Sequence, residues 1–391
     1  MPDKLTNTVL KLSSALDDQS IPYFYIDQTA LWLQGVINEC NSISVSIQWD
    51  GFESVISHFN THYGQAILEH TDEKSIATYK IDSYPVSIEC EYNTVIRTNP
   101  YMIQVPLENY NTPSVSIYHY QRSSEWASLV NDYLRNMQDR ITEQNEQAWN
   151  QQNYEALVNR HGTPDDAADK LLSNPSGKLR SLLPYLPNLE GKRIANLMGS
   201  HGMKATAMGL LGANVTVIDF SYENERYAKE LSQAASVDLT YYISDILKLG
   251  PEHHKQYDIV VMELGILHYF LDLHPLFQIV NQILKPGGHF ILQEFHPIST
   301  KLITSKGKKH KVDGNYFDPT IQRTNVAYSK HLTTDNENAN AVLQRKWTLG
   351  EVLTSLADEK LIIKQVVEEP NIKMNDRGIP KLFTVKAERS N

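Results

Sequence analysis

The sequence predicts an α/β chain in two folded parts. A doubly wound parallel sheet, closed by a C-terminal antiparallel hairpin, is expected over residues 186–391. A small α+β domain is expected over residues 1–120, with a helical connector over 121–185. Three observations predict this. At 391 residues the chain exceeds one ordinary core. From about residue 190, short apolar runs alternate with helical segments, the pattern of a parallel sheet. Before residue 120, helical stripes and period-two alternation are mixed instead.

Each element is predicted by its residues. Val9, Leu10, Leu12 and Leu16 fall on roughly one helical stripe. Ile43, Val45 and Ile47 alternate with polar residues as a strand does, and Val86, Ile88 and Cys90 repeat the pattern. In the connector Trp126, Leu129, Val130, Tyr133 and Leu134 are spaced for one helix face, and Pro164, Pro175, Pro184 and Pro187 punctuate the chain beyond it. Strands are predicted at Ile194–Leu197, Val215–Ile218, Thr240–Ile243, Ile259–Met262 and Phe290–Leu292, with helices at Glu223–Ala235 and Pro275–Leu284. The tail departs from this alternation. After a helix around Trp347–Ala357, the runs Leu361–Glu368 and Leu382–Ala387 flank the turn residues Asn375, Asp376 and Gly378. Two adjacent strands joined by a loop read as a hairpin at the sheet edge.

Composition narrows the function classes. The chain is 41% apolar and 21% charged, as a globular protein is. A net charge of −10 argues against a general nucleic-acid binder, which needs a basic face. Two cysteines, Cys40 and Cys90, are too few for a disulfide framework or a zinc site, and read as small buried apolar residues. No apolar leader and no run long enough to span a bilayer occurs, so a cytoplasmic location is expected.

Three strand ends carry candidate ligand-binding chemistry. Ile194-Ala-Asn-Leu-Met-Gly-Ser-His-Gly202 runs a strand into a glycine-containing turn and then a small-residue helix. Such a turn permits close backbone approach, and the helix start offers free N–H donors. Val215-Thr-Val-Ile-Asp219 ends a strand on a carboxylate able to accept both hydroxyls of a ribose. Tyr241-Tyr-Ile-Ser-Asp245-Ile246 places an acid and an apolar residue where an adenine can be held by its amino group and its face.

Residues 190–300 resemble a class I S-adenosylmethionine-dependent methyltransferase, a family with a Rossmann-like sheet. The resemblance rests on the glycine turn, the acid ending the second strand, Asp245, and Leu284-Lys-Pro-Gly-Gly288 before the fifth strand. The segment Glu263-Leu-Gly-Ile-Leu-His268-Tyr-Phe also resembles the region after strand four in small-molecule members, and the closing hairpin fits the family's strand order. Together these cover most of residues 150–390. The resemblance implies S-adenosylmethionine as cofactor. It assigns Gly199, Ser200 and Gly202 to the methionine part, Asp219 to the ribose and Asp245 with Ile246 to the adenine, and it counts Phe220 and Glu263 among the cofactor-binding residues. Two departures bear on it. Asn196 stands where an acid is common, and only Gly199 and Gly202 remain of a three-glycine turn. Glu263 is the alternative source of charge for the methionine ammonium.

Methyl transfer needs an aligned acceptor and, for some acceptors, a base. His268 follows the fourth strand and His296 the fifth, and either suits general-base work as well as a structural role. The stretch 298–346 is longer than an ordinary connection, and it carries Lys301, Lys306, Lys308, Lys309, His310, Lys311, Tyr316 and Phe317. An anionic small-molecule acceptor suits this cluster, and so does a solvated loop. No Asp/Asn-Pro-Pro-aromatic sequence follows strand four, and no cysteine occurs in the C-terminal half. Both observations count against a nucleic-acid base as acceptor.

Residues 20–120 faintly resemble a nucleotidyltransferase-like domain. Ala30-Leu-Trp-Leu-Gln-Gly35 precedes the strand Ser42-Ile-Ser44-Val-Ser-Ile-Gln-Trp. In active members two carboxylates one residue apart hold magnesium. Here the matching residues are Ser42 and Ser44, and Glu89 or Glu91 alone cannot replace them, so a recognition domain without phosphoryl transfer is implied. Two other readings of the whole chain stay open. One is a non-catalytic regulatory protein that binds S-adenosylmethionine as a signal. The other is a nicotinamide-dependent dehydrogenase, which the incomplete glycine fingerprint disfavours.

Overall fold

The computed structural model describes residues 3–122, 124–306, 309–332, 341–370 and 378–390. Lys308 of the lysine cluster and the turn residues Asn375 and Asp376 lie outside the described residues. The chain forms two compact units, one of Met1–Arg135 with Phe317–Pro319, the other of Asn136–Tyr316 with Thr320–Asn391. This division lies later than the residue-120 boundary read from the sequence.

The first unit is built on α1 (Lys4–Asp18), β1 (Tyr23–Tyr25), α2 (Asp27–Leu33), β2 (Ile43–Ile47), α3 (Phe52–Tyr63), β3 (Ile67–His70), β4 (Lys74–Ile81), β5 (Tyr84–Glu91), β6 (Met102–Leu107) and β7 (Tyr110–Val115). Its mixed sheet has the order β3-β4-β5-β2-β1-β7-β6. The stripe predicted for α1 is its buried face: Val9, Leu12 and Leu16 pack with Ile43, Val45, Val86 and Ile88. Cys40 and Cys90 are both free and buried. Glu89 on β5 pairs with Lys74 at 3.4 Å. Among the described residues no group of three His, Cys, Asp or Glu is placed to hold a metal.

In the second unit, the helices α4 (Ala127–Trp149, entered from the first unit), α5 (Asn153–His161), α6 (Pro164–Ser173) and α7 (Pro175–Lys178) precede the sheet. Thr163 starts α6 with a reciprocal capping box to Asp166, behind a proline at the first helical position. The sheet strands are β8 (Arg193–Leu197), β9 (Asn214–Asp219), β10 (Leu239–Ile243), β11 (Tyr257–Glu263) and β12 (Leu284–Phe295), with α8 (Met203–Leu210), α9 (Tyr222–Ala234) and α10 (Leu273–Ile283) between them. Every predicted strand and helix of this stretch lies within its observed element to one or two residues. β12 is the exception, being twelve residues long because pairing begins at the Lys-Pro-Gly-Gly run.

With β17 at Leu361–Pro370 and β18 at Pro380–Arg389, the strand order is β10-β9-β8-β11-β12-β18-β17, all parallel except β18, which runs against β12. The closing strands β17 and β18 form the expected hairpin, with β17 at the edge. One core face packs Ala195, Leu197, Val260 and Phe290 under α10 and α11 (Leu349–Asp358); the other packs Ile194, Val215, Ile259 and Ile291 under α8 and α9. Strands buried on both faces explain the continuous apolar runs in the sequence. The long connection is not a plain loop: it holds two hairpins, β13 (Ile303–Lys306) with β14 (Lys309–Val312), and β15 (Ile321–Thr324) with β16 (Val342–Arg345). No helix among the described residues is long and apolar enough to cross a membrane.

Candidate active site

Strand order reverses direction between β8 and β11, so the crossovers leave a crevice outside their C-terminal ends. A cleft of about 720 Å³ opens there, lined by the turn after β8, the end of β9, the loop after β11 and the segment around Tyr328.

The turn Met198–Gly202 is tightly wound, with left-handed φ at Met198 (47°), Ser200 (48°) and Gly202 (68°). Glycine adopts this φ without strain at Gly202, and packing calls for glycine both there and at Gly199, whose φ is ordinary. A Cβ on Gly199 would lie 2.5 Å from Asn196 Oδ1, and one on Gly202 would lie 2.7 Å from Ala228 Cβ on α9. Asn196 is buried under the turn, donating from Nδ2 to the Val261 carbonyl at 3.4 Å.

Asp219 fastens this turn to the next helix. Its carboxylate accepts from the Ser200 N–H at 3.0 Å and the Ser221 N–H at 2.9 Å. Burial nevertheless pushes its pKa up to about 6, against the lowering effect of those donors. A strained turn and a buried carboxylate held above its ordinary pKa both mark functional sites. Phe220 lies beside it and lines both the cleft and a small adjoining recess. Asp245, Ile246, Met198 and Tyr269 complete that recess. Asp245 accepts from the Leu247 N–H at 3.0 Å, which starts a short 3₁₀ turn and fixes the carboxylate at the strand end.

Gly199, Ser200, Asp219, Phe220 and Glu263 all line the cleft, and Asp245 with Ile246 line the recess; Gly202 starts α8 behind the turn. Glu263, at the end of β11, forms an ion pair with Lys204 of α8, so its charge is already compensated.

The two candidate histidines part company. His268 lines the cleft and also a second cavity of about 260 Å³, walled by Leu267, Phe295, Trp347 and Phe383. Its ring packs on Tyr269 at 4.5 Å. Burial, and then the Lys346 charge, lower its pKa to about 4, which leaves a neutral base at neutral pH. His296 lines neither space. It is 2% exposed, its Nε2 meets Glu368 Oε1 at 2.6 Å, and its Nδ1 accepts the Ile298 N–H at 3.1 Å.

Two features escaped the sequence reading. Glu294, buried, accepts from the Gly265, Ile266, Leu267 and Phe295 N–H groups at 2.6–3.3 Å, and so shapes the loop that carries His268. The cations of the cleft are Arg160, Lys178, Lys204, Lys330 and Lys346, not the lysines of β13 and β14. Of the expected cluster, Lys301 donates inward to the Lys346 carbonyl at 2.8 Å, and Lys306, Lys309 and Lys311 are exposed on their hairpin.

Comparison with known proteins agrees with this geometry. Residues 198–292 match the family model described as a methyltransferase domain. A ubiquinone biosynthesis O-methyltransferase of Marinobacter nauticus is 30% identical over 158 residues, covering 40% of this chain and 64% of that protein. One from Cronobacter sakazakii is 29% identical over 101 residues, covering 26% and 41%. The chain thus spans less than two thirds of the length of these relatives. The crystal structure of an S-adenosylmethionine-dependent methyltransferase from Mesorhizobium loti aligns with a TM-score of 0.44 and 24% identity, over 54% of this chain and 97% of that one. Residues 198–292, which run from the turn after β8 into β12, thus carry a methyltransferase domain.

Proposed function

We propose that the protein transfers the methyl group of S-adenosylmethionine to a small-molecule acceptor. The observation that carries this reading is the buried Asp219 carboxylate lining the cleft, sited where the glycine turn, the small recess beside Phe220 and the loop bearing His268 meet. These residues fit the cofactor. Asp219 would accept ribose hydroxyls, Asp245, Ile246 and Phe220 would hold the adenine, and the backbone of Gly199 and Ser200 would follow the methionine part. When bound, the cofactor supplies an electrophilic methyl on a sulfonium.

The chain's own residues do the rest. The cavity behind His268 receives an apolar part of the acceptor and keeps water from it. His268, neutral and without a hydrogen-bond partner among the described residues, takes the acceptor's proton as its oxygen or nitrogen forms the new bond to carbon. His296, with both ring nitrogens engaged, positions the hairpin instead. The acceptor carries negative charge, matching the basic lining of the cleft. In the same reading residues 1–120 serve recognition, since Ser42 and Ser44 offer no magnesium ligands.

Mass-spectrometric detection of S-adenosylhomocysteine, with a panel of small acidic acceptors, tests this. Turnover is expected with at least one acceptor, and His268→Ala should lower it by about 10²–10⁴-fold while cofactor affinity holds within threefold. A protein that binds cofactor yet forms no product with any acceptor would favour the regulatory reading.

A further inference from the structure

The cleft holds more positive charge than its own carboxylates and the cofactor can balance. Five cationic side chains line it, Arg160, Lys178, Lys204, Lys330 and Lys346, against the carboxylates of Asp219 and Glu263. Glu263 is already paired with Lys204, and Asp219 is enclosed by N–H donors. S-adenosylmethionine bears a sulfonium, an ammonium and one carboxylate, so loading it enlarges the surplus.

That surplus is concentrated at one place. Arg160 lies in the last turn of α5 and Lys178 ends α7, and neither makes an ion pair among the described residues. Burial and the Arg160 charge lower the Lys178 pKa. Between them His161 lies flat on His201, with ring centroids 4.7 Å apart, and its pKa is lowered to about 4 by burial and then by Lys178, Arg160 and His331. The groups that act most on His161, namely Lys178, Arg160, His331 and Lys170, are all basic. Lys330 joins from the facing turn, which Asn159 ties to α5 by donating to the His331 carbonyl at 3.0 Å. Lys178 is half-buried, while Arg160 and Lys330 are exposed; solvent screens part of their repulsion, which is strongest at Lys178 and is relieved by a ligand that supplies the countercharge.

We propose that Arg160, Lys178 and Lys330 form an anion subsite that binds a dianionic group of the acceptor, of phosphate chemistry, alongside the cofactor. The subsite rests on the methyltransferase reading for its role, though not for its charge. Arg160 contributes a planar fork for two oxygens, and the two lysines act as point charges.

The test is calorimetric titration of inorganic phosphate into the full-length protein, free and saturated with S-adenosylhomocysteine. One phosphate should bind the loaded protein, at least tenfold tighter than acetate does. The double variant Arg160→Gln, Lys178→Gln should weaken phosphate at least tenfold and leave S-adenosylhomocysteine affinity within threefold. The charge-preserving pair Arg160→Lys, Lys178→Arg should keep phosphate within about threefold, which separates lost charge from lost folding. Phosphate that binds the free protein but is excluded by S-adenosylhomocysteine would overturn the proposal, because the cations would then serve the cofactor's own carboxylate. Absence of phosphate binding in both forms would overturn it too. If S-adenosylhomocysteine itself fails to bind, the methyltransferase reading fails, while charge-dependent phosphate binding to the free protein still supports the anion subsite.

Discussion

The two sides of the cleft satisfy their charges in opposite ways. On the side of β9 to β12, each buried acid is held by backbone donors or by an ion pair: Asp219 by Ser200 and Ser221, Asp245 by Leu247, Glu294 by four N–H groups, Glu263 by Lys204. On the side of α5, α7 and the turn at Ser329–His331, Arg160, Lys178 and Lys330 line the cleft, and none of them makes an ion pair among the described residues. A side whose polar groups are satisfied internally is rigid before any ligand arrives. A side with unbalanced cations is completed by what it binds. This contrast suits a fixed cofactor on the first side and a charged acceptor on the second.

Glu294 is the residue on which the preset side depends most. Glu294→Ala removes the acceptor of four N–H donors, two of them in buried bonds, and should cost about 3 kcal/mol of stability, since each buried donor left alone costs roughly 1–3 kcal/mol. Denaturant unfolding measures this. Because the loop it shapes carries His268, turnover should fall further than cofactor affinity does. A loss below about 1 kcal/mol would mean that the loop holds itself and that the first side is not preset.

A smaller effect comes from pH. The Asp219 carboxyl titrates between its ordinary 3.8 and about 6 in the fold. The folded state therefore binds the extra proton in that window, and this group's contribution to stability declines as pH rises from about 4 to 6. Cofactor affinity should move the other way, rising about tenfold per pH unit below 6 and flattening above it, because only the carboxylate accepts both ribose hydroxyls. Opposed trends in thermal midpoint and in affinity would sharpen the assignment. Affinity flat from pH 5 to 8 would remove Asp219 from the ribose.

Much of the cofactor side was legible in the sequence, because a strand buried on both faces is an uninterrupted apolar run and its C-terminal residue is therefore marked. Asp219 and Asp245 stand out for that reason, as does Gly202, which has the left-handed φ that favours glycine. The acceptor side was not legible. Arg160, Lys178 and Lys330 come from three elements spread over 170 positions, and nothing local distinguishes them from solvated charges. The lysines that do cluster in sequence, from 301 to 311, scatter in space: a two-residue period in the β13–β14 hairpin turns them outward, while Lys301 is drawn in. His268 and His296 were equivalent as sequence positions. Their difference is set by Glu368, 72 positions beyond His296, which reaches it only because β17 and β18 fold back on the sheet. Glu294 was hidden too, since its four partners are backbone groups that leave no sequence signal.

In the proposed function, Asp219 anchors S-adenosylmethionine at the crevice beside β8. Calorimetric titration of the full-length protein with S-adenosylmethionine at pH 7.5, wild type beside Asp219→Ala, tests it most directly. One site per chain is expected in the wild type, and at least 30-fold weaker binding in the variant, with helix content unchanged by circular dichroism. Equal affinity in both proteins, or no binding to the wild type, would contradict the account.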